Sequence, residues 1–272
     1  MSRSAQARPV PGFIQEGSSL PPVTGADQFL VDRAWLTQHR ADVKVVALAP
    51  ADEFAAGHIP GAAQIDWPDL VLASTRDDAI ASWHANVQAA LYGLGITRAD
   101  TVVLYDHGTL FSARLFWILD LLGHANVRVL NGGLAAWNAG SGPLETGAST
   151  VSAARVTYAG QLNRAKLASE QDVFSMINEP DVALIDARQA DEFADAHIPY
   201  ATNYPHTWNA EAGTVPVWKT TQILASTYAG LGITPDKTVI AYCTAGTHSC
   251  ATYLTLRMLG YPDVRVYSGS WN

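Results

Sequence analysis

Six short apolar runs are spaced along the chain, and each has the length and the composition of a strand buried in a parallel sheet. They cover residues 43–48, 102–105, 127–130, 182–185, 239–242 and 264–267. The pattern also predicts helices over 112–122 and 249–259, with Gly123 and Gly260 placed where a left-handed C-cap belongs. Strands that alternate with helices through short connections predict an α/β fold, with parallel sheets covered by helices on both faces.

The pattern occurs twice. Asp-Glu-Phe at 52–54 and His-Ile-Pro at 58–60 recur at 191–193 and 197–199, an offset of 139 (191 − 52). The strand at 101–105 recurs at 238–242 with an offset of 137 (238 − 101), so the second copy has lost two residues. At the matched strand ends, the first copy has Asp106 and the second has Cys243. A thiol in only one of the two matched positions indicates that the second copy has a functional site and that the site of the first copy is inactive.

The repeat and the length of 272 residues predict two domains. We expect a flexible N-terminal arm at 1–25, an inactive first domain at 26–140, a linker at 141–158 and a catalytic second domain at 159–272. The first copy continues past its last strand with Gly132-Gly133-Leu134 and Trp137, whereas the chain stops at Asn272. The second domain is therefore expected to lack a C-terminal helix.

Composition narrows the range of partners. With 48% apolar and only 15% charged residues, each half can bury a full core. The net charge of −8 argues against nucleic acid or an acidic membrane surface as partners, and no apolar run has the roughly 18 residues of a membrane span. A small anionic substrate would need a local electropositive pocket. Two cysteines and no apolar leader segment favour a reducing, cytoplasmic location.

The segment after Cys243 carries the candidate chemistry. Thr244, Ala245, Gly246, Thr247, His248 and Ser249 connect a strand to a helix. Such a short loop turns backbone N–H groups inward, and the helix N-terminus adds about half a positive charge. Both effects favour a thiolate over a thiol, and Gly246 suits a positive φ or the close approach of a ligand. The alternative is a buried, inert cysteine, which is the usual fate of a free thiol.

At this point the chain resembles the rhodanese superfamily, in particular its two-domain sulfurtransferases. The resemblance covers residues 29–271 and rests on several motifs together. These are His-Ile-Pro-Gly-Ala at 58–62, Asp186-Ala187-Arg188, Asn131-Gly132-Gly133 with Trp137, and the Cys-x-x-Gly-x-x loop from Cys243 with Cys250 seven residues on. It implies two tandem rhodanese-like α/β domains, with an aspartate in place of the thiol in the first.

The resemblance also implies a ping-pong sulfur transfer without a cofactor. Cys243 would take the sulfane sulfur of thiosulfate or 3-mercaptopyruvate as a persulfide, and cyanide or a thiol would accept it. Residues 244–249 would bind the substrate through their N–H groups, and Arg188 would hold the anionic end of the donor. The alternative for Arg188 is a structural ion pair with Asp186.

Several roles stay open at the level of sequence. The neutral Thr244 and Ala245 favour mercaptopyruvate over thiosulfate, although Ala245 lacks the hydroxyl group typical of the mercaptopyruvate pattern. His248 either gains charge below about pH 6.5 or faces solvent. His58 and His197 occupy the same place in both copies, which favours a structural role, and Cys250 is interpreted as a core residue of its helix.

Two rival functions remain. A phosphatase of the same fold needs Cys-x5-Arg, but the residue in the place of that arginine is Ser249. The second rival is a non-enzymatic sulfur carrier or interaction module. Two cysteines and scattered histidines supply no ligand set for a metal.

Overall fold

The computed structural model describes residues 25–271, so the predicted N-terminal arm lies, apart from Gly25, outside the described residues. Two five-stranded sheets, all parallel, contain the strands. In the first sheet the order is β1-β5-β4-β2-β3, and in the second it is β6-β10-β9-β7-β8. The strands are β1 Leu30–Val31, β2 Val43–Leu48, β3 Ala63–Ile65, β4 Thr101–Asp106, β5 Val127–Leu130, β6 Leu167–Ala168, β7 Val182–Asp186, β8 Thr202–Asn203, β9 Thr238–Tyr242 and β10 Val264–Tyr267. The second sheet repeats the order of the first, as the sequence repeat requires.

Ten α-helices connect these strands within the described chain. They are α1 Ala26–Phe29, α2 Arg33–His39, α3 Ala51–Ala56, α4 Asp77–Gly93, α5 Ser112–Leu121, α6 Gly133–Ala139, α7 Glu170–Met176, α8 Ala190–Asp195, α9 Thr221–Gly230 and α10 Ser249–Met258. Single 3₁₀ turns occur at Trp67–Leu70, Arg164–Lys166 and His206–Asn209. None of the helices in residues 25–271 is long and apolar enough to cross a membrane.

All six predicted strands and both predicted helices are confirmed, with ends that differ by at most one residue. Gly123 and Gly260 have φ values of +70° and +78°, so both helices end with the left-handed residue that the sequence predicts. Helix α7 begins with a capping box, in which Ser169 and Asp172 satisfy each other's backbone N–H groups.

Helices pack on both faces of each sheet. Successive residues of a strand therefore belong to cores on opposite faces. Along β4, Val102 and Leu104 belong to a large core, and Val103 and Tyr105 belong to a smaller one on the opposite face. The large core is continuous across the two domains, where α5 packs against α10. The domains therefore share apolar packing as well as topology.

Polar contacts also hold the two domains together at the interface of α5 and α10. The carboxylate of Asp120 on α5 accepts a hydrogen bond from the Tyr253 hydroxyl at 2.6 Å and pairs with Arg257 at 3.2 Å. Lys166 also pairs with Asp120, and its carbonyl accepts from the Trp117 indole at 3.0 Å. These buried and half-buried contacts set the relative position of α5 and α10, and with it the position of the loop before α10.

Candidate active site

Cys243 lies directly after β9, at the carboxyl end of the second sheet. Its backbone is held on both sides: the N–H donates to Ser270 Oγ at 3.3 Å, and the carbonyl accepts from the Trp271 N–H at 3.0 Å. The residue is only 1% exposed. The strand and these two bonds therefore fix where the thiol emerges, between the strand end and the start of α10.

The loop after Cys243 contains hydrogen-bond donors without protein acceptors. Within residues 25–271, none of the backbone N–H groups of residues 244–249 donates to a protein oxygen or nitrogen. The hydroxyl groups of Thr247 and Ser249 are also buried without a partner. Buried donors are normally satisfied, and unsatisfied ones cluster where a ligand or a reacting group supplies the acceptor. This loop can therefore stabilise an anion on or near the Cys243 sulfur.

Gly246 gives the loop its shape. Its φ is +76°, which side chains rarely allow, and a Cβ at this position would lie 2.9 Å from both Cα and Oγ of Ser268. The expected positive φ is confirmed, and the space beside this glycine is filled by Ser268 of the chain itself.

The matching loop of the first domain uses its donors internally. One oxygen of the Asp106 carboxylate accepts from the N–H groups of Gly108, Thr109 and Leu110 at 2.8, 2.9 and 3.2 Å. The other oxygen accepts from the N–H and the hydroxyl of Ser112 at 2.9 and 2.6 Å. Here the positive φ values fall at Gly108 and Leu110, so the backbone of this loop differs from that around Gly246. A carboxylate of the chain itself thus stands in the place of a bound anion.

Both domains line the cavity at Cys243. The cavity has a volume of about 260 Å³, and the second domain contributes Cys243, Thr244, Ala245, Thr247 and His248. The first domain contributes Trp67 and Phe111. A larger cleft of about 620 Å³ adjoins it, and Phe111 and His248 line both. The candidate site thus lies between the domains, and no sequence motif marks the two aromatic residues from the first domain.

Arg188 lies outside the cavity lining. Its Nε contacts both oxygens of Asp186 at 3.1 Å, and its Nη2 donates to Asp186 at 2.6 Å and to the Ala196 carbonyl at 2.7 Å. Its guanidinium also covers the Trp271 ring at 4.8 Å. The hydrogen bonds to Asp186 raise the pKa of Arg188 above its ordinary value. The ion pair that the sequence offered as the alternative is present, and a contact with the donor stays a prediction.

His248 is part of an aromatic stack. Its ring lies parallel to that of His206 at 4.1 Å and near Phe111 at 5.3 Å, so it does not simply face solvent. Burial lowers the pKa of His248, so the ring gains a positive charge at a lower pH than an exposed histidine does. Burial, followed by the charge of His248, lowers the pKa of His206 to about 4. Both rings are therefore neutral at neutral pH.

This stack makes stability depend on pH. In the unfolded chain, His206 gains a proton near pH 6.5, but in the folded chain only near pH 4. The stability that neutral His206 contributes is therefore present above pH 6.5 and is lost as the pH falls towards 4. Between pH 7 and pH 5, we expect the free energy of unfolding to fall by about 2 kcal/mol from this residue. Urea unfolding at pH 7 and pH 5 tests this expectation. The free energy of unfolding should fall less in His206→Asn than in the wild type, and an equal fall in both proteins would contradict it.

His58 and His197 make the same local contacts in the two copies. The Nδ1–H of His58 donates to the Phe54 carbonyl at 3.0 Å, and that of His197 donates to the Phe193 carbonyl at 2.8 Å. Each ring also stacks on its phenylalanine at 3.8 Å. Cys250 is fully buried, donates its thiol to the Gly246 carbonyl at 3.1 Å, and has its pKa raised to about 12 by burial. The backbone hydrogen bonds of the two histidines and the burial of Cys250 in its helix agree with the structural interpretation.

Comparison with known proteins agrees with this geometry. The model of the rhodanese-like domain matches residues 31–140 and again residues 169–272. The chain is 31% identical to the sulfur carrier protein TtuD of Thermus thermophilus, over 90% of this chain and 92% of that protein. It is 30% identical to a thiosulfate sulfurtransferase of Pseudomonas aeruginosa, over 96% and 93% of the two chains.

A solved structure has the same fold over most of its length. SseA from Escherichia coli, described as a 3-mercaptopyruvate sulfotransferase with the rhodanese fold, is 30% identical and superposes with a TM-score of 0.78. The match covers 90% of this chain and 99% of SseA. With two matched domains, a shared fold and relatives of this identity, the chain belongs to the rhodanese family, as a sulfurtransferase with two rhodanese-like domains.

Proposed function

We propose that this sulfurtransferase takes a sulfane sulfur from thiosulfate or 3-mercaptopyruvate onto Cys243, as a persulfide, and transfers it to cyanide or a thiol. One observation carries the proposal. The donors of residues 244–249 have no acceptor in the described protein, whereas the donors of the matching loop bind Asp106. The loop at Cys243 is thus suited to a negative charge that arises during the reaction.

The proposed reaction has two steps. In the first, the Cys243 thiolate attacks the outer sulfur of the donor, a sulfur–sulfur bond forms, and the donor's own bond to that sulfur breaks. The leaving group takes the electron pair; it is sulfite from thiosulfate, or the enolate of pyruvate, which then gains a proton from water. In the second, cyanide or a thiolate attacks the terminal sulfur and the Cys243 thiolate leaves. Both steps keep a negative charge near the same sulfur.

Ser249 has a defined part in holding that charge. It is the first residue of α10, as Ser112 is the first residue of α5. Ser112 donates both its N–H and its hydroxyl to the Asp106 carboxylate, and the buried Ser249 hydroxyl has no partner in the described protein. We therefore assign the N–H and hydroxyl of Ser249 to the persulfide anion. Donors fixed in advance stabilise charge more effectively than water, which must reorient.

The surroundings of the loop bear on the choice of donor. Thr244 and Ala245 bring no positive charge, and the Thr244 hydroxyl donates to the exposed carboxylate of Glu192 at 3.4 Å. A carboxylate beside Thr244, which lines the cavity, repels dianionic thiosulfate more strongly than monoanionic 3-mercaptopyruvate. This favours 3-mercaptopyruvate. Steady-state kinetics with both donors and with cyanide as acceptor test the proposal; a higher kcat/KM with thiosulfate would reverse the preference, and turnover with neither would reject the function.

Arg188 provides a separate test of donor binding. Its Nε and Nη2 are used by Asp186 and Ala196, and no described protein group accepts from Nη1. If Nη1 holds the anionic end of the donor, Arg188→Ala should raise the donor KM by about 10- to 100-fold, because a charge-assisted bond contributes about 1.5–3 kcal/mol. Arg188→Lys keeps the charge, so its donor KM should lie between those of the wild type and Arg188→Ala. Unchanged donor saturation with a lower free energy of unfolding would leave Arg188 with the ion pair alone.

The proposal assigns different parts to the two domains. Residues 26–140 form the domain without a nucleophile, 141–158 the linker and 159–272 the catalytic domain. A phosphatase would need an arginine in place of Ser249, whose short side chain cannot clamp a phosphate. A sulfur carrier is the second candidate, since one relative bears that name. A carrier would take up one sulfur per chain without steady turnover, so the same kinetics separate the two.

A further inference from the structure

A buried arginine of the first domain contacts the loop of the second. Arg114, on α5, is 0% exposed. Its Nη1 donates to the Gly246 carbonyl at 3.0 Å and to Ser268 Oγ at 3.3 Å. Its Nη2 donates to the Leu70 carbonyl at 2.7 Å and to Ser268 Oγ at 3.2 Å. The guanidinium also lies over the Trp117 ring, 4.7 Å from its centroid.

This guanidinium has no carboxylate partner. Among residues 25–271, no aspartate or glutamate forms an ion pair with Arg114, and its Nε is buried without an acceptor. Buried charges in proteins are normally paired, since an isolated one is costly. The Cys250 sulfur, 3.9 Å from Nη1, is a thiol that donates to Gly246 and so carries no compensating charge. The remaining group of this loop that can become an anion is Cys243.

The bond to Gly246 also sets the direction of a peptide. In a trans peptide, the C=O of one residue and the N–H of the next point in opposite directions. The Gly246 carbonyl points at Arg114, so the N–H of Thr247 points away from it, and Thr247 lines the cavity at Cys243. A hydrogen bond from a charged group also polarises this peptide and strengthens the N–H as a donor.

We infer that Arg114 is a positioning residue for sulfur transfer: it balances the negative charge of the Cys243 thiolate and persulfide, and it holds the Gly246–Thr247 peptide with its N–H towards them. The inference rests on the proposed function of Cys243. It gives the domain without a nucleophile a part in the chemistry, because α5 brings this charge across the domain boundary.

The rate at which iodoacetamide alkylates Cys243, measured against pH and assigned by peptide mapping, tests the inference. In Arg114→Met and Arg114→Gln, we expect the profile to move by about one pH unit or more towards alkaline pH, because a buried positive charge is lost. The rate at pH 7 should fall about tenfold or more. Arg114→Lys keeps the charge and should move the profile by less than half as much. Arg98→Met is the matched control, since Arg98 also donates to carbonyl groups, those of Leu122, Gly123 and Ala159, but does not touch the loop.

Two results would overturn the inference. One is a wild-type profile in a folded Arg114→Gln or Arg114→Met protein, with folding checked by circular dichroism. The other is a displacement in Arg114→Lys as large as in the neutral variants, which would mean that shape and not charge matters. Failure of the proposed function looks different: Cys243→Ser would still take up sulfur from the donor, whatever the alkylation of Cys243 showed.

Discussion

Cys243→Ser is expected to transfer no measurable sulfur with either donor. A serine hydroxyl in the same loop cannot become a comparable nucleophile at neutral pH, and it cannot hold sulfur as a persulfide. Mass spectrometry of the intact protein after treatment with donor should find one added sulfur atom on the wild type and none on the variant. Uptake of sulfur by Cys243→Ser would show that the assignment of the nucleophile is wrong.

Cys250→Ser is the matched control for that experiment. Its thiol is buried against the Gly246 carbonyl, and a serine hydroxyl can donate to the same oxygen. We therefore expect most of the activity to remain in this variant. An equal loss in both variants would indicate that the two sulfurs act together, for example as a redox pair.

Moving the thiol to the first domain is expected to restore nothing. In Asp106→Cys combined with Cys243→Ser, the nucleophile stands at the matched strand end, but the loop around it has a different backbone. There the positive φ values are at Gly108 and Leu110, whereas the second loop has its positive φ at Gly246. The thiol would be present without the loop conformation that surrounds Cys243. Donor assays should therefore find no turnover above that of Cys243→Ser alone.

A folding control makes this result interpretable. Asp106 accepts five hydrogen bonds, so its loss leaves buried donors unsatisfied and lowers stability. Asp106→Cys with Cys243 intact should nevertheless keep sulfur transfer if the domain still folds. Turnover approaching that of the wild type in the double variant would show that the first loop can support the reaction and lacks only the thiol.

The sequence predicted the parts of the fold that depend on local pattern. The six apolar runs are the interior strands of the two sheets, which are β2, β4, β5, β7, β9 and β10. The edge strands β1, β3, β6 and β8 are only two or three residues long, too short for a recognisable period. The repeat pairs Asp106 with Cys243, and so indicates the candidate nucleophile from the sequence alone.

The contacts across the domain boundary could not be predicted in this way. Trp67, Phe111 and Arg114 of the first domain lie beside the loop at Cys243 because the two domains pack together, with α5 against α10. The local pattern marks these residues merely as buried or aromatic. Arg188 illustrates a second limit, since both of its roles could be named from the sequence but only the geometry contains the ion pair with Asp186.

The way in which Asp106 binds its own loop also concerns competition between the two halves of the chain. A carboxylate tethered to the backbone is present at an effective concentration far above that of any dissolved anion. Under the proposed function, a sulfur donor would therefore not displace this carboxylate from the first loop. Of the two versions of the loop, only the one at Cys243 would then compete for the donor.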